Sequence, residues 1–208
     1  MRIAIRRLSL GFVLIALSSA VLLISDWGQR KGGTGRIPRV AIVQHASQAV
    51  LDEGVRGMID ALTAAGFIEG RNIAIQRFNA ENDLPTANTI ARQVTTGEYD
   101  MVITSSTLSM QTVANANRAG RAMHVFGVSA DPFSAGIGIS RENPLDHPKH
   151  LVGIGSMIPV DRAFQMARAM YPGLKSVGLA WNSAESNSLA FTKAARKVCK
   201  EMGIELME

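Results

Sequence analysis

Short apolar segments alternate with amphipathic segments from residue 39 onward, and this alternation decides which folds are open to the chain. Residues 39–43 and 101–104 are apolar and rich in β-branched side chains, whereas residues 48–65 carry apolar side chains at three-and-four spacing. Strands that alternate with helices at this spacing form βαβ units. We therefore predict an α/β fold with a doubly wound parallel sheet, whose other strands are residues 72–77 and 122–128.

Ligands bind to such sheets at the carboxyl ends of the strands. The loops to consider are therefore residues 44–47, 105–107 and 129–132. Ser105 and Ser106 begin a predicted helix at residues 108–118, where free N–H groups and the positive end of the helix dipole favour a carboxylate or phosphate. An N-cap role alone is the alternative for these serines. Asp131 could hold an ammonium group, or it could form an Asx turn with Pro132.

After the irregular residues 133–150, strands and helices alternate again, but there are fewer of them. The pattern predicts a helix that begins at Pro159 and runs to about Met170, a strand at 176–180, a helix at 188–202 and the start of a strand at 204–207. A lone strand pair with two helices buries little core. We expect a first α/β lobe over residues 39–150 and an incomplete second α/β lobe over residues 151–208.

The basic charge of the chain is concentrated in its first residues. Residues 1–31 have a net charge of +4, and residues 32–208 have a net charge of +1. A basic start followed by an uncharged, mostly apolar run at residues 8–25 predicts a signal peptide or membrane anchor over residues 1–31, with a linker at 32–38. We expect an exported protein, periplasmic or anchored in the inner membrane by residues 8–25. The near-neutral remainder predicts no nucleic-acid partner.

The sequence offers little support for an enzyme. It has one cysteine, Cys199, which we expect to be a half-buried helix residue; this excludes an internal disulfide and a cysteine metal cluster. Neither a G-x-G-x-x-G after the first strand nor a P-loop is present. His45, Ser105 and Asp131 all follow predicted strands and could form a triad by position alone. We predict no catalysis, no cofactor and no metal site.

Several segments, in order, resemble one family, the bacterial ABC-transporter substrate-binding proteins. GFIEGRN follows the first predicted helix, TSSTLSMQ stands at an A-T-P-A-A-Q-like loop, SADP at a T-D-P-like loop, and WNSAESNS at an N-P-x-E-x-N-S-like loop. The resemblance covers residues 39–208 and implies a periplasmic-binding-protein-like fold in which two lobes close on a small ligand. The family continues past residue 208, so the resemblance also implies a truncated second lobe.

The resemblance implies a set of ligand-binding positions in four loops. Ser106 and Thr107 replace the usual Thr-Pro, and Ser129-Ala130 replaces Val-Thr, so the ligand could differ from the usual one. The implied ligand-binding residues are Gln44, His45, Ser105, Ser106, Thr107, Gln111, Ser129, Asp131, Asn182, Glu185, Ser186 and Asn187.

The resemblance implies an extracytoplasmic receptor that binds a zwitterion, an amino acid or an analogue, and delivers it to an ABC permease. The alternative is a membrane-tethered ligand-sensing domain of a signalling system.

Overall fold

The computed structural model describes residues 16–21 and 36–208. The chain divides into two compact units, Met1–Ile37 and Pro38–Glu208. In the first unit the structure describes residues 16–21, which are helical, and residues 36–37; the rest of the predicted leader lies outside the described residues. Of the helices that are described, none is both long enough and apolar enough to cross a bilayer.

A five-stranded parallel sheet forms the centre of the second unit. Its strands are β1 (Arg39–Gln44), β2 (Ala74–Asn79), β3 (Met101–Ser105), β4 (Met123–Ser129) and β5 (Leu151–Gly155). They lie in the order β2-β1-β3-β4-β5, and every adjacent pair is parallel. The predicted doubly wound α/β fold is confirmed.

Helices cover both faces of this sheet: α1 (Ala49–Ala64), α2 (Leu84–Val94) and α3 (Thr107–Ala116). Side chains alternate along β1, so Val40 and Ile42 pack with α1 while Ala41 and Val43 pack with α2 and α3. Strands buried on both faces need apolar residues at every position, which explains the continuous apolar runs in the sequence.

The remaining residues form a smaller α/β arrangement. It contains α4 (Val160–Met170), β6 (Ser176–Gly178), α5 (Ser186–Met202) and β7 (Glu205–Met207), and β6 pairs with β7 in a two-stranded parallel sheet. Helix α5 ends at Gly203, whose φ of +64° is the left-handed conformation that glycine adopts at helix C-termini.

Two features differ from the sequence-based expectation. Strand β5 was expected to open the second lobe, but it hydrogen-bonds to β4 as the edge strand of the first sheet. We therefore propose that the lobe boundary lies after Gly155 rather than before Leu151. Cys199 has an exposed fraction of 2%, so it is fully buried rather than half-buried.

Candidate ligand-binding cleft

Three loops meet at the carboxyl edge of the five-stranded sheet. Gln44 at the end of β1 is in register with Ser105 at the end of β3, which puts the loops after these strands side by side. The Thr107 hydroxyl lies 3.4 Å from the Ser129 hydroxyl and accepts a hydrogen bond of 3.3 Å from the main-chain N–H of Ala130. The loops after β3 and β4 are therefore joined through Thr107.

A cavity of about 280 Å³ lies against this edge and is closed partly by residues of α5. Its lining combines polar side chains at the loop tips with apolar side chains on the walls. The polar residues are His45, Gln48, Asn82, Ser106, Thr107, Ser156, Glu185 and Asn187, and the larger apolar ones are Val50, Leu51, Leu108, Val128, Ile158 and Phe191.

Three helices begin at this cavity. The first residues of α1, α3 and α5 all line it or adjoin it. Ser106 caps α3 by accepting a hydrogen bond of 3.1 Å from Ser109 N–H, but neither Gln48 nor Glu185 caps its own helix with its side chain. First-turn N–H groups have no partner within the helix, and the dipoles place positive ends here. The cavity is thus suited to a carboxylate.

Glu185 and His45 add groups of a different kind. The Glu185 carboxylate lines the cavity and can pair with a cation; it accepts a hydrogen bond of 2.8 Å from Asn182 Nδ2. The Nδ1 atom of His45 is buried and has no hydrogen-bond partner among the described residues. A buried polar atom without a partner is costly, and a ligand group can satisfy it.

Strained backbone is concentrated at the same place. Within residues 16–21 and 36–208, positive φ values at residues other than glycine occur at Glu81, Asn82, Ser106 and Val128, and the last three line the cavity. The φ values are +125° at Ser106 and +50° at Val128, a β-branched residue for which this conformation is a genuine outlier. Such strain gathers at ligand sites because the surrounding structure must hold it in place.

Some residues that the resemblance implicates shape the cleft without lining it. The Gln44 amide donates hydrogen bonds of 2.6 Å to the carbonyl of Ala46 and to Asp52 of α1, and so ties the first loop to its helix. Ser105 is fully buried, and its hydroxyl donates to the carbonyl of Leu51 at 3.3 Å. Both side chains are already engaged by the protein.

The same is true of two residues nearer the start of α5. Asn182 binds Glu185, as described above, and does not line the cavity. Gln111 donates to the carbonyl of Ala135 at 2.9 Å and accepts from the Ser186 hydroxyl at 3.2 Å, so it bridges α3 and α5. These residues position their neighbours.

The sequence left two roles open for Asp131, holding an ammonium group or forming an Asx turn. The structure shows the turn, and the carboxylate also holds a cation, Arg141. Its carboxylate accepts a main-chain hydrogen bond of 3.2 Å from Phe133, as an Asx turn requires, and it pairs with Arg141 at 2.5 Å. Partial burial opposes ionisation, but hydrogen bonds from Ser134 and Arg141 outweigh it and hold the pKa of Asp131 below its usual range. The cation that Asp131 holds here is an arginine of the same chain.

Asp131 lines a second, larger cavity rather than the first. This cavity has a volume of about 710 Å³. Its polar lining residues are Asp131, Ser134, Arg141, Ser186 and Lys193, and Ala130 lines both cavities.

Several lining residues are not among those that the sequence indicated. Ser156 follows β5 directly, and its N–H and hydroxyl both donate to the carbonyl of Ser129, at 2.7 and 3.2 Å. The N–H of Asn82, in the loop after β2, donates to the carbonyl of His45 at 2.8 Å. The carboxyl-edge rule applies equally to these two loops and could have found both residues. Phe191 lies on α5, and no local signal marks it.

The described residues contain no group of three or more His, Cys, Asp or Glu side chains arranged to hold a metal ion.

Solved structures share this fold. A conserved domain protein from Vibrio cholerae O1 biovar El Tor superposes with a TM-score of 0.75 at 26% identity, over 83% of this chain and 57% of that chain. An ABC domain from Streptococcus pneumoniae in complex with L-Trp also gives a TM-score of 0.75, at 20% identity, over 82% of this chain and 56% of that chain. At 20% identity the second likeness shows the fold alone.

A curated relative is similar in sequence. The tyrosine-binding protein of Clostridioides difficile (strain R20291) is 29% identical over 167 residues, which are 80% of this chain and 46% of that protein. The chain thus spans about half the length of these relatives.

The sequence profile described as ABC transporter substrate binding protein matches residues 39–208, which contain the whole five-stranded sheet and both cavities. The match covers most of the chain, and the chain therefore belongs to the family of ABC transporter substrate binding proteins.

Proposed function

We propose that the chain is the ligand-binding part of an extracytoplasmic solute receptor, and that it binds a small zwitterion, an α-amino acid or a close analogue, in the cavity of about 280 Å³. The observation that carries this proposal is the convergence of three helix starts on one cavity that also contains a carboxylate, Glu185. Positive helix ends and a carboxylate in one small space match the two charges of a zwitterion.

The chemistry of the lining supports a place for each part of such a ligand. The ligand carboxylate would accept hydrogen bonds from the first-turn N–H groups and the hydroxyl of Thr107 at the start of α3. The ammonium group would pair with Glu185. The apolar part of the side chain would lie against Val128, Ile158 and Phe191. Pockets for drug-sized ligands begin at about 300 Å³, so the volume suits a ligand the size of one amino acid.

The curated relative supports the same ligand class, because it is described as a tyrosine-binding protein. The proposal also includes delivery to an ABC permease, export through residues 1–31 and closure of two lobes around the ligand, and family membership supports these parts.

A binding experiment with a matched pair of variants tests the proposal. The protein is titrated with each of the common L-amino acids, first by thermal shift and then by calorimetry. A ligand at 100 times its Kd should raise the free energy of unfolding by about 2.7 kcal/mol. Glu185→Gln should weaken binding by roughly 10- to 100-fold, since it removes one partner of a charge pair.

Glu201→Gln is the matched control. Glu201 lies near the far end of α5, the helix that Glu185 precedes, and its partner is Lys197, 3.9 Å away at the surface. This variant should bind like the unaltered protein. If no amino acid raises the melting temperature, or if Glu185→Gln binds as tightly as Glu201→Gln, the proposal is wrong.

A further inference from the structure

The second cavity has a volume of about 710 Å³. Its position after the fourth strand suggests a site for a cation, but the charges of its lining residues favour an anion. An aspartate after the fourth strand suggests a place for an ammonium group. In the structure this carboxylate, Asp131, is neutralised by Arg141, whose guanidinium also lies 4.9 Å from the centre of the Phe133 ring. An ammonium group would have to displace Arg141, which contacts both Asp131 and the Phe133 ring.

Lys193 supplies the excess charge. It lines the cavity from α5, and among the described residues it has no ion-pair partner. With Asp131 and Arg141 cancelling each other, the charged residues that line the cavity have a net charge of +1. The hydroxyls of Ser134 and Ser186 line the same space and can donate hydrogen bonds. This combination favours an anion.

The two cavities adjoin each other. Ala130 lines both, and Ser186 lines the larger cavity while its neighbours Glu185 and Asn187 line the smaller. A ligand whose charged backbone groups occupy the smaller cavity can therefore extend its side chain past Ala130 into the larger one.

We propose that the larger cavity binds the anionic end of the ligand's side chain, so that the protein prefers α-amino acids with a long side chain that ends in a carboxylate. This inference rests on the proposed function of the smaller cavity. Arg141 and Lys193 are the residues that determine this specificity, and Asp131 positions Arg141.

The test compares a ligand whose unbranched side chain ends in a methyl group with ligands whose unbranched side chains end in a carboxylate. Calorimetric titrations use L-norleucine, which is apolar, and L-2-aminoadipate and L-2-aminopimelate, which end in a carboxylate at increasing reach. At least one of the acidic ligands should bind about tenfold or more tightly than L-norleucine, the usual effect of one hydrogen bond to a charged group. This preference should shrink as the salt concentration rises.

Variants on one helix show whether the preference comes from this cavity. Lys193→Gln should reduce the ratio of the two affinities about tenfold, and Arg141→Gln should also reduce it. Lys197→Gln is the control, because Lys197 is one turn further along α5 and pairs with Glu201 instead of lining the cavity. It should leave the ratio unchanged.

The outcomes separate this inference from the proposed function. If L-norleucine binds and neither acidic ligand binds more tightly, the smaller cavity functions as proposed and the inference about the larger cavity is overturned. If the preference exists but Lys193→Gln and Lys197→Gln alter it equally, the cavity is not its source, and the inference is also overturned. If no amino acid of any kind binds, the proposed function fails.

Discussion

The stability of the protein should depend on pH through one buried histidine. His124 in β4 has no exposed surface. Its Nε2 atom lies 3.0 Å from the Thr104 hydroxyl, and its Nδ1 atom has no partner among the described residues. Burial, with a smaller contribution from the charge of His150, lowers the pKa of His124 from 6.5 to about 3. The imidazole is therefore neutral in the folded protein.

The direction of the effect follows from this shift. The unfolded chain takes up a proton on His124 below about pH 6.5, whereas the folded protein does not, so stability is complete above that pH and is lost as the pH falls. With pKa values of 6.5 and about 3, the loss between about pH 7.5 and pH 5 is about 2 kcal/mol. Carboxyl groups contribute little in this window, because their unfolded pKa values are about 4.

Urea unfolding at the two pH values measures the effect. His124→Gln keeps a side-chain amide that can bind Thr104 but does not titrate, so its free energy of unfolding should fall about 2 kcal/mol less between pH 7.5 and pH 5 than that of the unaltered protein. His147→Asn, which alters a partly exposed histidine in the loop before β5, is the control. Equal pH dependence of His124→Gln and the unaltered protein would refute the reasoning.

Substitutions at four positions test the packing and strain around the cleft by chemical denaturation. In α1, a Cβ atom at Gly54 would lie 2.5 Å from Val128 Cγ2, whereas one at Gly57 would meet nothing within 4 Å. Gly54→Ala should therefore lower the free energy of unfolding by about 1–3 kcal/mol, and Gly57→Ala should raise it by about 0.5–1 kcal/mol. If both substitutions changed this free energy in the same direction, the close approach of Gly54 to Val128 would be refuted. Asp83→Ala should lower the free energy of unfolding by about 1 kcal/mol, because Asp83 caps α2. An unchanged denaturation midpoint would show that this cap does not stabilise the protein. Ser106→Gly should be more stable than Ser106→Ala by about 1–3 kcal/mol, because glycine tolerates a φ of +125°; equal stability would mean that the position is unstrained.

The main chain of the fold could be predicted wherever one signal dominates. Periodicity placed β1, β3 and β4 within one residue at each end, because strands buried on both faces are continuously apolar. Strand β2 begins two residues later than its pattern predicts. The reason is Asn72, which accepts a hydrogen bond from Ile68 N–H at 2.6 Å and donates to the carbonyl of Gly66 at 2.8 Å. These bonds hold the turn before the strand, and a pattern of apolar residues contains no information about them.

The candidate site could be predicted only in part, for a similar reason. The carboxyl-edge rule identifies loops, so it finds His45, Ser106 and Thr107, which line the smaller cavity. It does not say which side chains in a loop are already used by the protein, as Gln44 is. Arg141 reaches Asp131 from an irregular segment whose path no local rule determines. Only the tertiary structure shows that Asp131 is paired with Arg141.

The strained backbone and the connection from β5 to α4 are physically linked. The register of β4 and β5 shifts between Phe126 and Ser129, at the position where Val128 has its φ of +50°. This shift allows the carbonyl of Ser129 to accept both hydrogen bonds from Ser156, the first residue after β5 on the way to α4. The Ser129 hydroxyl in turn contacts Thr107 at the start of α3. A change in the direction of the connecting segment would therefore act first on Ser129, and through it on the helix start where we place the ligand carboxylate.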